Sequence, residues 1–141
     1  MADQLVVFVI DGERYGVSID QVQEIIRFTP PRSVSSDDPR VRGVINLRSR
    51  IIPVLDLASH LGVASNEGTG GNIVIVDAND ATVGIVVDEV DEVLTVSADQ
   101  VDELPAASAS SGRIAKTEDA LIVILDLEDL GITGSITDLA A

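Results

Sequence analysis

At 141 residues with 45% apolar side chains, the chain is long enough for one sizeable core or two small ones and too apolar to stay disordered. It has no cysteine, one histidine and three aromatics (Phe8, Tyr15, Phe28). That excludes disulfides and thiol nucleophiles, nearly excludes transition-metal sites, and leaves a core of Val, Ile, Leu and Ala. A net charge of −15, from 24 acidic and nine basic residues, sets the surface against phosphate backbones and anionic lipid.

No apolar run reaches the ~20 residues that span a bilayer. The N-terminal MADQLVVFVIDG lacks the basic flank of a signal peptide, so a cytoplasmic protein without membrane insertion is expected. Lys116 is the only lysine against eight arginines. Abundant carboxylates with almost no lysine suit high salt, where screening relieves self-repulsion, and a halophilic source is expected.

In chain order, strands are predicted at 4–10 and 14–18, joined at Asp11-Gly12, a strong hairpin signal. A short helix is expected over 19–26: Ser18 can cap it, Gln21 completes a capping box, and Ile19, Val22 and Ile26 share a face. Pro30-Pro31 ends that element. Strands at 42–47 and 50–55 follow, then a helical turn near 56–61 ending at Gly62, and a Gly-rich loop over 64–71. The stretch NIVIVDANDATVGIVVDEVDEVL (72–94) then gives strand, polar turn at Asn79-Asp80, strand and short amphipathic segment.

That order repeats the first half. YGVSIDQVQEII (15–26) lies over VGIVVDEVDEVL (83–94), and RIIPVLDL (50–57) over ALIVILDL (120–127). Two copies of one supersecondary unit follow from the shared offset. A second echo, VSIDQVQEI against VSADQVDEL, aligns fewer flanking elements and reads as coincidence or local helix chemistry. Half-chains this small bury a core best by curling, so the fold is expected to be all-β: two small barrels packed together. The first would hold residues 1–63 and the second 72–131, with 64–71 as the loop between them. A single antiparallel sandwich is the competing arrangement.

The repeat also acts as a control, because a residue demanded by the architecture should recur. Apolar positions do: Ile51/Leu121, Ile52/Ile122, Val54/Ile124, Leu55/Leu125 and Leu57/Leu127. The polar tip does not. Arg48 stands opposite Glu118, Ser49 opposite Asp119 and Asn46 opposite Lys116. Six of the nine basic residues fall between 27 and 50 (Arg27, Arg32, Arg40, Arg42, Arg48, Arg50). Guanidinium groups on a partly apolar face suit bidentate contact with a partner's carboxylates. The bland alternative is that they neutralise the protein's own acid.

Catalytic signatures are weak. His60 reads as a solvated surface residue, and DEVDEV (88–93) as a strip of solvated acids with Val90 and Val93 on a buried face. NEGTGGN (66–72) opens a strand and lacks the Lys-Ser/Thr of a phosphate loop. SASSG (108–112) reads as a linker. No enzyme, cofactor or metal is expected.

The order of YGVSIDQVQEI, RVRGVINLRSRIIPVLDL, VGIVVDEVDEVL and LIVILDLEDLG resembles the CheW family of chemotaxis coupling proteins over almost the whole chain. The resemblance implies two SH3-like five-stranded barrels and a non-catalytic scaffold joining chemoreceptor cytoplasmic tips to the regulatory domain of the histidine kinase CheA. It implies that Arg48, Glu24, Ile25 and Asn46 contact the receptor, that Val22, Arg42 and Gly43 face the kinase, and that apolar residues between the barrels form a groove for the receptor's helical hairpin. Where the family has Gly after the arginine of its NLR motif, this chain has Ser49. Ser there implies either a strained positive-φ turn or a different turn type. Pro53 is expected on an edge strand. The alternatives are a CheW-like adaptor for another sensory or motility kinase, an acid-dependent hydrolase using Asp88/Asp91, and a barrel-type nucleic-acid binder.

Overall fold

The computed structural model describes residues 2–64, 71–78, 81–103 and 113–127. Eleven strands form two sheets. β1 (Ala2–Ile10) and β2 (Glu13–Ser18) make a hairpin, followed by a 3-10 turn at Ile19–Gln21 and then β3 (Val22–Arg27). β4 (Val41–Leu47) and β5 (Arg50–Leu55) make a second hairpin, followed by the single turn α1 (Ala58–Leu61). β6 (Asn72–Ala78), β7 (Ala81–Val87) and β8 (Glu89–Ser97) lead to a 3-10 turn at Ala98–Gln100, then β9 (Val101–Glu103), β10 (Arg113–Lys116) and β11 (Leu121–Ile124).

The all-β expectation holds, and the sheets have the twin SH3-like barrel architecture. One sheet runs β3-β6-β7-β5-β4, the other β8-β1-β2-β11-β10-β9. Each closes by chain continuity from one edge strand to the other. In the six-stranded sheet, β8 passes through its 3-10 turn into β9, which pairs with β10. In the five-stranded sheet, the chain beyond β3 returns so that Arg32 bridges Val44 of β4, at 2.8 and 2.9 Å in the two directions.

The division by halves is corrected. The six-stranded sheet takes β1 and β2 from the N-terminal half and β8–β11 from the C-terminal half; the five-stranded sheet takes β3–β5 and β6–β7. Matching strands occupy matching places, since β3-β6-β7-β5-β4 corresponds to β8-β1-β2-β11-β10. The two units have therefore exchanged their opening hairpins. The expected boundary at 64–71 falls mostly on residues outside those described, as do the turn at 79–80 and the SASSG stretch.

Apolar burial explains why both opening hairpins lie between the barrels. In β1, Leu5 and Val7 fill the six-stranded barrel, while Val6, Phe8 and Ile10 face the other sheet. In β6, Ile73 and Ile75 fill the five-stranded barrel, while Val74 and Val76 face the first. Both opening hairpins are thus apolar on two faces, as their unbroken runs LVVFVI and IVIV require. The largest apolar cluster lies between the barrels, not inside either one.

Three local expectations are also corrected. Of residues 19–26, expected as helix, 22–26 belong to β3 and pair with β6, with burial alternating along the strand; only 19–21 turn helically. Residues 89–97, expected to begin as an amphipathic segment with Val93 inside, form β8, where Val93 is exposed. Pro53 lies not on an edge but on β5, between β7 and β4. It is accommodated because the parallel contact of β5 with β7 begins only at Val54. The second sequence echo proves to be local chemistry: both copies are three-residue 3-10 turns entered from a serine, Ser18 or Ser97.

The exchange predicts that the chain, bisected between Ala64 and Gly71, yields fragments that each give no cooperative thermal transition. Mixed, they should recover the β-sheet circular dichroism of the intact protein. A fragment that melts cooperatively alone would contradict the exchanged architecture.

Candidate functional site

The β4–β5 hairpin turns at Arg48-Ser49, closed by the Leu47↔Arg50 pair. Both turn residues sit in the left-handed region, Arg48 at φ 53° and Ser49 at φ 67°. A two-residue turn with positive φ at both positions matches the right-handed twist of its strands, and Asn-Gly or Asp-Gly normally supplies it. The β1–β2 hairpin does so with Asp11 (φ 53°) and Gly12 (φ 75°). Arg48-Ser49 adopts the same backbone with two residues that resist it, at about 1–2 kcal/mol each. Of the two options for Ser49, the strained turn is the one realised.

The repeat shows that this strain is not imposed by the architecture. Glu118 and Asp119, at the equivalent place between β10 and β11, have no positive φ. Their turn is held by Thr117, whose N–H donates to the Ala120 carbonyl at 2.9 Å.

The strained turn carries Arg48 outward, 76% exposed, where its Nη2 donates to Glu24 Oε2 on β3 at 2.9 Å. Arg50, two residues on, donates from Nη2 to Thr82 Oγ1 on β7 at 3.0 Å. Thr82 donates to Asp77 Oδ1 at 2.8 Å, and Gln23 Nε2 donates to the same carboxylate at 2.7 Å. Gln23 adjoins Glu24, so the contacts close a ring over β3, β6, β7 and β5. Arg48 is thus joined to the barrel by one ion pair, and its neighbour Arg50 by a separate hydrogen-bonded network. The sequence names Arg48 and Glu24 but does not mark Thr82, Asp77 and Gln23; no motif signals polar residues that meet across strands whose order in the sheet is not their order in the chain.

The remaining expected residues fall on the same barrel with differing parts. Ile25 is exposed on β3, and Ile51 is exposed on β5 opposite exposed Asn46 of β4. Val22 is half-buried at the start of β3 and packs against the core between the barrels. Arg42 Nη1 pairs with Asp56 Oδ2 at 2.9 Å. Gly43 is buried at a bulge in β4, and a Cβ there would stand 2.1 Å from the Arg32 carbonyl oxygen. Gly43 is therefore required for barrel closure at the Arg32–Val44 bridge.

Of the six arginines between 27 and 50, three have carboxylate partners: Arg40 with Asp38, Arg42 with Asp56, and Arg48 with Glu24. The Asp38 hydrogen bonds raise the pKa of Arg40 further above its ordinary value. Arg27, Arg32 and Arg50 have no carboxylate within 4 Å among the described residues. Self-neutralisation thus accounts for half of the cluster.

The apolar pairs expected to recur as core divide instructively. Ile52/Ile122, Val54/Ile124, Leu55/Leu125 and Leu57/Leu127 are buried, whereas Ile51 and Leu121 are each 62% exposed. The apolar residues between the barrels are closed core, at most 5% exposed. A cleft of about 290 Å³ lies beside the first 3-10 turn on the six-stranded barrel, lined by Leu5, Val96 and Ile124 with Ser18, Gln21 and Arg113.

Asp88 and Asp91, the carboxylates of the hydrolase reading, each have a separate partner on the β1–β2 hairpin. Asp88 Oδ2 accepts from the Asp11 N–H at 2.7 Å, and Asp91 pairs with Arg14 at 3.6 Å. No group of three metal-ligating side chains occurs among the described residues. His60 lies in α1, with its side chain outside the described residues.

Replacing Ser49→Gly should relieve the left-handed strain, partly offset by a more flexible unfolded chain, and raise the melting temperature by about 2–4 °C. Gly43→Ala should lower it by more, because the new methyl group meets backbone. Thermal melts of the two variants check both signs.

The CheW-like domain model matches residues 4–131. The chain is 33% identical over 130 residues to the chemotaxis protein CheW of Bacillus subtilis, covering 88% of this chain and 83% of that protein. It is likewise 33% identical over 126 residues to the chemotaxis protein CheW of Thermotoga maritima, covering 87% and 83%. Among solved structures, the scaffolding protein TtCheW from Thermoanaerobacter tengcongensis superimposes with a TM-score of 0.83 at 29% identity, over 95% of this chain and 90% of that one. A twin-barrel fold and a family match over residues 4–131 lead to one conclusion: the chain belongs to the CheW-like family, the non-catalytic coupling scaffolds of chemotaxis signalling.

Proposed function

We infer that the protein bridges a chemoreceptor cytoplasmic tip and the regulatory domain of the histidine kinase CheA, through the five-stranded barrel. The observation that carries this is the Arg48-Ser49 turn: the chain bears unfavourable backbone to hold a guanidinium 76% exposed on a very acidic surface. Strain kept at one site and absent from its repeat is an investment in presentation. The Arg48–Glu24 pair suits exchange. An exposed ion pair contributes about 0–1 kcal/mol, so a partner carboxylate can displace Glu24 at little cost.

On this reading Arg48, Glu24, Ile25 and Asn46 form the receptor-facing surface. Val22, Arg42 and Gly43 face the kinase, Gly43 through the backbone shape that it permits. Arg27, Arg32 and Arg50 add positive potential that speeds encounter with acidic partners. The work is done in the cytoplasm, in arrays at the membrane, where many modest contacts act together; no described helix is long and apolar enough to cross it. No nucleic acid or cofactor is involved.

The charge balance extends the reading to a halophilic cell. With 24 acidic against nine basic residues, screening should favour the folded state. The melting temperature should therefore rise between about 0.1 and 2 M KCl; a flat or falling trend would remove the halophilic assignment.

Arg48→Glu should leave the circular dichroism and melting temperature close to wild type, because Glu118 fills the equivalent place in the other barrel. Binding to a soluble receptor cytoplasmic fragment should fall at least tenfold, since one attraction is lost and a repulsion with the partner's carboxylate is gained. Unchanged binding by titration calorimetry would overturn the docking role of this hairpin.

A further inference from the structure

Arg48 and Arg50 flank the same turn yet are held differently, and the difference assigns a role to a residue far from both in sequence. The Thr82 hydroxyl donates to Asp77 Oδ1 at 2.8 Å and accepts from Arg50 Nη2 at 3.0 Å and from Gln23 Nε2 at 3.4 Å. A hydroxyl has one donor and two acceptor positions, and Thr82 uses all three. It is the one group that joins β3, β6 and β5 at this end of the barrel.

Hairpins whose turn residues disfavour positive φ can relax to wider loops unless contacts outside the turn restrain them. On the Arg48 side the restraint is Glu24, which a docking partner displaces. On the Arg50 side it is Thr82, a contact that exchange of carboxylates on Arg48 leaves in place.

The geometry points to Thr82 as a positioning residue for docking: by holding Arg50, it keeps the strained Arg48-Ser49 turn in its presenting conformation while Arg48 exchanges Glu24 for the partner's carboxylate. Asp77 and Gln23 orient the hydroxyl. This inference rests on the docking role of Arg48 and adds to it the element that preorganises the hairpin.

The test is a double-mutant cycle on the full chain, binding the same soluble receptor cytoplasmic fragment, with Thr82→Val, Arg48→Ala and the double variant. Valine keeps the β-branched shape and removes all three hydrogen bonds. Thr82→Val should weaken binding roughly five- to tenfold while its melting temperature stays close to wild type, and Thr82→Ser should restore most of the affinity. In the Arg48→Ala background, Thr82→Val should have no further effect, because a positioning residue has nothing left to position. Full additivity, or unchanged binding by Thr82→Val, overturns the inference even if Arg48→Ala binds weakly. Wild-type binding by Arg48→Ala overturns the docking role itself, and this inference with it.

Discussion

The apolar layer between the two barrels is the constraint on which the structure depends. Val6, Phe8, Ile10, Tyr15 and Val17 from the first opening hairpin meet Val74, Val76, Val83, Ile85 and Val87 from the second. Burying each such side chain contributes about 1.5–3 kcal/mol, and this layer holds more of them than either barrel interior. Because the opening hairpins are apolar on both faces, neither can form an outer wall. Each must sit between its own barrel's interior and the other barrel. The central place of both opening hairpins follows.

That constraint also explains which features were legible in the sequence. Unbroken apolar runs, the Asp11-Gly12 turn and the internal repeat gave an all-β, twin-barrel reading. The same repeat could not reveal which copy donates which strands, because exchanged and unexchanged pairings bury the same residues on the same faces. The helix over 19–26 failed for a physical reason. Ile19, Val22 and Ile26 fit a helical face, but Val22, Glu24 and Ile26 fit a strand equally well, and pairing with β6 decides between them. Val93 misled in the same way: on β8 it alternates to the solvent side.

For the site, the comparison of repeats did more than composition could. Arg48 stood out because Glu118 replaces it, and the structure sharpens that contrast: the two turns differ in backbone conformation as well as in charge. Ile51 was harder to read, because its repeat partner Leu121 is also apolar and recurrence was taken to mean core. Both prove exposed. Recurrence marks what both barrels retain, inside or outside, so it separates Arg48 from the framework but does not separate a buried leucine from one held at the surface. The polar ring through Thr82 is invisible for another reason: it joins strands whose order in the sheet, β3-β6-β7-β5, is not their order in the chain.

The exchanged hairpins bear on how such a chain could arise. A lone copy of the repeat would supply two strands for one barrel and three for another, so it could complete both only by trading strands with a second copy in a twofold dimer. Joining the copies end to end would turn a bimolecular assembly into a unimolecular one and free it from dependence on concentration. It would also relax the symmetry, so that one corner could become cationic while its twin stayed acidic.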